Sequence, residues 1–85
     1  MAYTIIIPNS VKKDLDRLPE PIFKKILTVL HQLAINPRPS GCKKLKGRNA
    51  WRVRAGDYRI IYEIEDENVK VILIKIRHRK EVYRQ

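Results

Sequence analysis

Hydrophobic and polar positions along this chain change their period twice. Tyr3 to Ile7 is a short apolar, mostly β-branched run closed by Pro8, and it predicts a first strand. Beyond it Val11, Leu15 and Leu18 recur at spacings of four and three. That predicts a short helix, capped by Asn9 or Ser10 and running to about Leu18. The segment Leu18-Pro19-Glu20-Pro21 breaks it, and Pro21 suits the first turn of a second helix. There Ile22, Ile26, Val29, Leu30 and Leu33 make one stripe, with Lys24, Lys25 and Gln32 outside it, until the pattern stops before Pro37. Two helices joined by so short a turn predict an antiparallel helical hairpin.

Asn36 to Lys46, with Pro37, Pro39 and Gly41, reads as loop. After it the period becomes two. Trp51, Val53 and Ala55 alternate with Arg52 and Arg54, Gly56-Asp57 makes a two-residue turn, and Tyr58, Ile60, Tyr62 and Ile64 continue the alternation. A second turn at Asp66 to Asn68 leads to a third strand, Val69 to Ile76, apolar on both faces apart from Lys70 and Lys75. This is a three-stranded antiparallel meander. The fold expected is α+β in the order β-α-α-β-β-β, a helical hairpin packed on an antiparallel sheet, in one domain spanning residues 1–85. The polar tail from His78 to Gln85 leaves room for a short C-terminal helix.

The turns also fix a register. With Gly56 and Asp57 as the loop, Ala55 faces Tyr58, Arg54 faces Arg59 and Arg52 faces Ile61. Directly opposed residues project to the same side of a sheet. Arg52, Arg54 and Arg59 therefore share one face, and Trp51, Val53, Tyr58, Ile60 and Tyr62 the other. A three-residue loop at Asp66 to Asn68 sets Lys75 opposite Arg59 and puts Ile72, Ile74 and Ile76 on the core side. Arg77 and Arg79 extend the basic side if the strand runs on. Like charges set opposite each other destabilise a sheet, so a ligand is a better reason for this cluster than folding is.

Charge sharpens that picture. Nineteen Lys and Arg against nine Asp and Glu give +10 in 85 residues. The excess lies mostly in the second half, where Lys43, Lys44, Lys46 and Arg48 stand just upstream of the arginine face. A field of this sign draws polyanions. Arginine's planar fork grips phosphate at two points and stacks on bases. The single Cys42 leaves no internal disulfide and fits a reducing compartment. The N-terminal apolar run is too short for a signal peptide or a membrane span, which predicts a cytoplasmic protein with no membrane association.

No His or Cys spacing suggests a metal site and no Gly-rich loop suggests a nucleotide cofactor, so none of either is expected. His31 borders the stripe of the second helix and reads as structural. The remaining chemistry lies in Arg77-His78-Arg79-Lys80-Glu81-Val82-Tyr83. RNA carries its own nucleophile, the 2′-hydroxyl. Cleavage then needs in-line positioning, charge stabilisation at phosphorus and proton transfer, and arginines with a Tyr or His can supply the last two.

Three runs carry a resemblance: Lys44-Leu45-Lys46-Gly47; Trp51 through Gly56-Asp57-Tyr58-Arg59-Ile60-Ile61-Tyr62-Glu63; and His78-Arg79-Lys80-Glu81-Val82-Tyr83. Together they resemble the RelE branch of the RelE/ParE toxin superfamily over nearly the whole chain. The resemblance implies a toxin of a type II toxin–antitoxin system, a metal-independent endoribonuclease that cuts mRNA in the ribosomal A site, leaves a 2′,3′-cyclic phosphate and inhibits translation. It implies catalytic roles for Arg59 at the scissile phosphate, Arg79 at the leaving 5′-oxygen and Tyr83 in orientation or proton transfer. RNA contact is expected from Arg52, Arg54, Lys43, Lys44, Lys46, Arg48, Lys75, Arg77 and His78. Arg52 and Arg54 stand where well-studied members have lysines. Arginine holds its proton too tightly for an ordinary base, which leaves Tyr83, His78 or a ribosomal group for that task. The implied partner is an acidic, RelB-like antitoxin in a hetero-oligomeric complex. Two other readings stay open: a ParE-like inhibitor of DNA gyrase, and an RNA-binding module without catalysis.

Overall fold

The computed structural model describes residues 2–78, so Arg79, Tyr83 and the tail in which a helix was expected lie outside the described residues. The elements follow in order as β1 (Thr4–Ile6), α1 (Asn9–Asp16), α2 (Glu20–Ile35), β2 (Lys43–Lys44), β3 (Trp51–Ala55), β4 (Tyr58–Glu65) and β5 (Lys70–His78). Five strands make one sheet in the order β1-β5-β4-β3-β2. It is a mixed sheet: the meander and β2 are antiparallel, while β1 runs parallel to β5. The short β2 arises inside the stretch 36–46 that the sequence pattern marks as loop, where Lys43 pairs with Arg52 and Lys44 with Trp51.

Both helices begin on a proline rather than on a polar cap. Pro8 and Pro19 hold the two N-cap positions with no side-chain cap, and their carbonyls accept the first helical N–H groups, from Lys12 and from Ile22 and Phe23. The fixed φ of proline sets the entry of the chain here, and Asn9 and Ser10 become exposed first-turn residues. Helix α1 also stops at Asp16, short of Leu18. Neither helix is long and apolar enough to cross a membrane.

The core forms where one sheet face meets the helices. Val11 and Leu15 of α1 and Ile26, Leu30 and Leu33 of α2 pack with Val53, Ala55, Ile60, Tyr62, Ile64, Val71, Leu73 and Ile76. Burying each large apolar side chain contributes about 1.5–3 kcal/mol. Tyr62 is fully buried, and its hydroxyl donates to the Pro37 carbonyl at 2.7 Å. That bond satisfies the phenol and ties the loop after α2 to the centre of the sheet. Burial first, and Cys42 after it, push the Tyr62 phenol well above its ordinary pKa, while Arg38 opposes the rise. His31 stands on the exposed side of α2, so it has no place in this packing.

One residue more in a turn, and one more in a strand, decide the β4–β5 register. The loop after β4 has four residues, Asp66 to Val69, with Glu65 paired to Lys70. Val69 takes φ 53°, a left-handed conformation that a β-branched residue rarely adopts. The extra loop residue turns the first half of β5 over. Val71 and Leu73 enter the core in place of the expected Ile72 and Ile74, and Ile72 lies beside Glu63 on the other face. A bulge then follows: Tyr62 pairs with Leu73 but Ile61 with Lys75, and Ile74 is left without a partner in the ladder. This second one-residue shift restores the phase. Ile76 is in the core as expected, and Lys75 and Arg77 return to the basic side.

Candidate nucleic-acid interface

The sheet face turned away from the helices carries cations in two consecutive rows. In the first, Arg54 faces Arg59 and Arg59 faces Arg77, so three arginines stand abreast on β3, β4 and β5. In the second, Lys43, Arg52, Ile61 and Lys75 follow one another across β2 to β5. Neighbours within a row are roughly 5 Å apart at the backbone, and the rows are about 7 Å apart along each strand. Gly41, Lys43, Arg52, Arg54 and Arg59 line a groove of about 530 Å³. The expected pairs Arg54–Arg59 and Arg52–Ile61 are present. The one expected at Lys75–Arg59 is not: the bulge gives that place to Arg77 and moves Lys75 one row on.

Burial differs along the first row. Arg59 is 7% exposed, Arg77 is half-buried and Arg54 is exposed. Like charges abreast in a sheet repel one another, and an anion placed over the row is attracted by all three. Arg77 is partly held already, by Asp14 of α1 at 3.6 Å and by the Ile76 carbonyl, to which it donates at 3.2 Å. Phosphate is the anion whose geometry suits such forks, since two guanidinium groups can each give it paired N–H donors.

The groove's outer wall is the loop that brings in Gly41 and Lys43, and a clamp secures it. Arg38 reaches both carboxylate oxygens of Asp66, at 3.2 and 2.9 Å, and lies over the Trp51 ring at 5.1 Å. The Tyr3 hydroxyl donates to the same carboxylate at 2.8 Å. These hydrogen bonds, that from Arg38 first, hold the Asp66 carboxyl below its usual range. In return Asp66 raises the Tyr3 phenol and the Arg38 guanidinium.

Several residues expected to touch RNA stand elsewhere. Lys44 pairs with Trp51, in a row that projects to the side opposite Arg52. With Lys46 and Arg48 it lines a separate hollow of about 590 Å³ around residues 44–49. His78 follows Arg77 in β5 and so also projects to the helix side, where its ring meets Tyr58. Arg79 and Tyr83 lie outside the described residues. The place of Arg77 beside Arg59 was hidden in the sequence. Val71-Ile72-Leu73-Ile74 is apolar at every position, so alternation marks no phase there.

A pair of helices thus backs a five-stranded mixed sheet, and arginines are ranked on the sheet face turned away from them. Residues 5–83 match the family described as ParE toxin of type II toxin-antitoxin system, parDE, and the chain belongs to that family. Its likenesses lie with the RelE toxins. Toxin RelG of Mycobacterium tuberculosis is 31% identical over 88 residues, covering 100% of both chains. Toxin RelE of the same organism is 35% identical over 85 residues, covering 96% of this chain and 87% of its own. The RelE chain of the archaeal RelE–RelB complex from Pyrococcus horikoshii superposes with a TM-score of 0.84 at 29% identity, covering 93% of this chain and 97% of that one.

Proposed function

We propose that this RelE-like toxin is a ribosome-dependent mRNA interferase of the cytoplasm, which cuts message in the A site without a metal ion. The observation that carries the reading is the row Arg54–Arg59–Arg77, with Lys43, Arg52 and Lys75 one row away. In the reaction the 2′-hydroxyl oxygen attacks the adjacent phosphorus and loses its proton. The bond from phosphorus to the 5′-oxygen breaks, and that oxygen takes up a proton. The products are a 2′,3′-cyclic phosphate and a free 5′-hydroxyl. Arg59, with Arg54 and Arg77 beside it, neutralises the charge that grows on the non-bridging oxygens, which is where preorganised cations are worth most. Arg52, Lys43 and Lys75 hold the strand in register.

Arg79 at the leaving oxygen and Tyr83 in orientation or proton transfer complete the assignment. The base is Tyr83 or a group of the ribosome. His78 is the weaker candidate because its row projects to the side opposite Arg59. Lys44, Lys46 and Arg48 contribute through their charge at a distance from the groove. The partner is a RelB-like antitoxin in a hetero-oligomeric complex, as the Pyrococcus horikoshii relative is solved with RelB, and an acidic chain complements a charge of +10. The whole of residues 1–85 works as one domain.

Inducing the chain alone in cells and mapping the 5′ ends of messages tests this reading. In-frame cuts within translated regions are expected, and Arg59→Ala removes them. The family's description as ParE toxin keeps a second reading in view, inhibition of DNA gyrase. Uncut messages together with trapped gyrase–DNA complexes would replace the first reading with that one. RNA binding with neither outcome would leave a module without catalysis.

A further inference from the structure

The row after the three arginines is Ala55, Tyr58 and His78, paired across β3, β4 and β5. Successive residues alternate, so this row projects to the helix side, one step beyond Arg54, Arg59 and Arg77. It is the last row before the Gly56–Asp57 turn, and α2 covers it incompletely. A hollow of about 310 Å³ remains there, lined by Ile22, Lys25, Ala55, Gly56, Asp57, Tyr58 and His78. The Tyr58 and His78 rings stand edge to face, 5.1 Å between centroids and at 90°. Lys25 arches over the turn: a Cβ on Gly56 would lie 3.9 Å from the lysine Nζ.

We propose that this hollow is a nucleobase subsite, taking the base of a nucleotide that adjoins the phosphate held by Arg54, Arg59 and Arg77. The proposal rests on the RNA reading of the groove and extends it to residues outside that groove. Aromatic side chains are the platforms on which proteins stack single-stranded bases. Here the two rings are joined by apolar walls from Ile22 and Ala55, a cation at the rim in Lys25 and an acceptor in Asp57. The space suits one flat ring system and is far too small for a duplex. Position supplies the rest of the argument. The two rows are neighbours along the strands, about 3.4 Å apart. They project to opposite faces, so a phosphate on one and a base on the other are joined by a backbone that rounds the end of the sheet. The RNA strand rounds the end at Gly56, whose φ of 62° suits the turn and beside which the Lys25 ammonium stands as a cation for its backbone. Stacking tolerates any base, so the subsite adds affinity and register rather than sequence choice.

The test is an abasic scan. A fluorescently labelled single-stranded hexaribonucleotide with 2′-O-methyl sugars resists cleavage, and its binding to the purified full chain is read by anisotropy. Removing one base at a time should expose a single position at which affinity falls about ten-fold, the size of one lost base–aromatic stack. In His78→Gln the same abasic change should cost less than two-fold, and in Lys25→Ala the parent oligonucleotide should bind about two- to three-fold more weakly. Thermal melts of both variants show whether the fold is kept, and Lys25→Ala, exposed on α2, serves if His78→Gln melts early. A flat scan, or a drop of equal size in the variants, overturns the subsite while leaving the groove intact. Arg54→Ala separates the two claims. It should weaken every oligonucleotide alike, and unchanged binding would sink the groove and the subsite together.

Discussion

The two faces of one sheet follow opposite rules. On the helix side Ile60, Tyr62, Val71 and Leu73 are at most 1% exposed, and the buried Tyr62 hydroxyl has its acceptor at Pro37. On the other side three arginines stand abreast, the middle one almost buried. The same strands supply both sets, residue by alternate residue. What the comparison teaches is where stability is made and where it is given up. The helix side holds the fold together, and the arginine side sets like charges beside one another, an arrangement that costs stability.

Substitutions on the two sides should therefore separate stability from function. The largest effect is expected for Ile26→Ala, which opens a cavity under α2. It should lower stability by about 2–5 kcal/mol, a large share of what so small a domain has. Urea denaturation measures it, and the loss of toxicity should track the loss of folded protein. Arg59→Leu is the converse. Removing the middle cation relieves its like-charge contacts with Arg54 and Arg77, so the loss of stability should be smaller than that of Ile26→Ala. Cleavage should fall by about 10²–10³-fold, as when one preorganised charge-stabilising group is removed. A melt and a cleavage assay on the same preparation check both halves. A strongly destabilised Arg59→Leu would contradict the contrast between the faces.

Smaller effects sharpen the account. Val69→Asn places a residue that tolerates the left-handed conformation where a β-branched one now stands, and should add about 1 kcal/mol of stability. Its cleavage rate should stay at the level of the parent chain. The clamp gives the smallest effect, and its sign follows from Asp66. A carboxyl held below its unfolded pKa stabilises the fold above about pH 4 and loses that contribution as pH falls through the folded value. Between neutral pH and pH 3 the melting temperature of the parent chain should therefore drop more than that of Asp66→Asn. Equal drops would mean that the bonds from Arg38 and Tyr3 contribute nothing in solution.

Sequence pattern went a long way with this fold because β3 and β4 alternate cleanly and Gly56-Asp57 leaves one reading of their turn. Arg54 opposite Arg59 and the core side of Val53, Ile60 and Tyr62 follow from that alone. It went astray where alternation vanishes. In Val71 to Ile74 every side chain is apolar, so a fourth loop residue at Val69 and a bulge at Ile74 leave no trace. The two displacements cancel in phase, which is why Lys75 and Arg77 are on the expected side although each faces a different partner. Two-residue β2 has no periodicity to find. Pro8 and Pro19 displaced the polar caps because backbone geometry, rather than a side-chain oxygen, starts both helices.

Backbone and arginine Nε–Hε NMR signals, followed while a non-cleavable single-stranded RNA is added, put the central claim to its most direct trial. The signals of Arg52, Arg54, Arg59 and Arg77 should shift together at the lowest RNA concentrations, while those of Lys12, Lys13 and Thr28 on the outer helix surface stay in place. Shifts that begin at Lys12, Lys13 and Thr28, or that leave the four arginines in place, would contradict it.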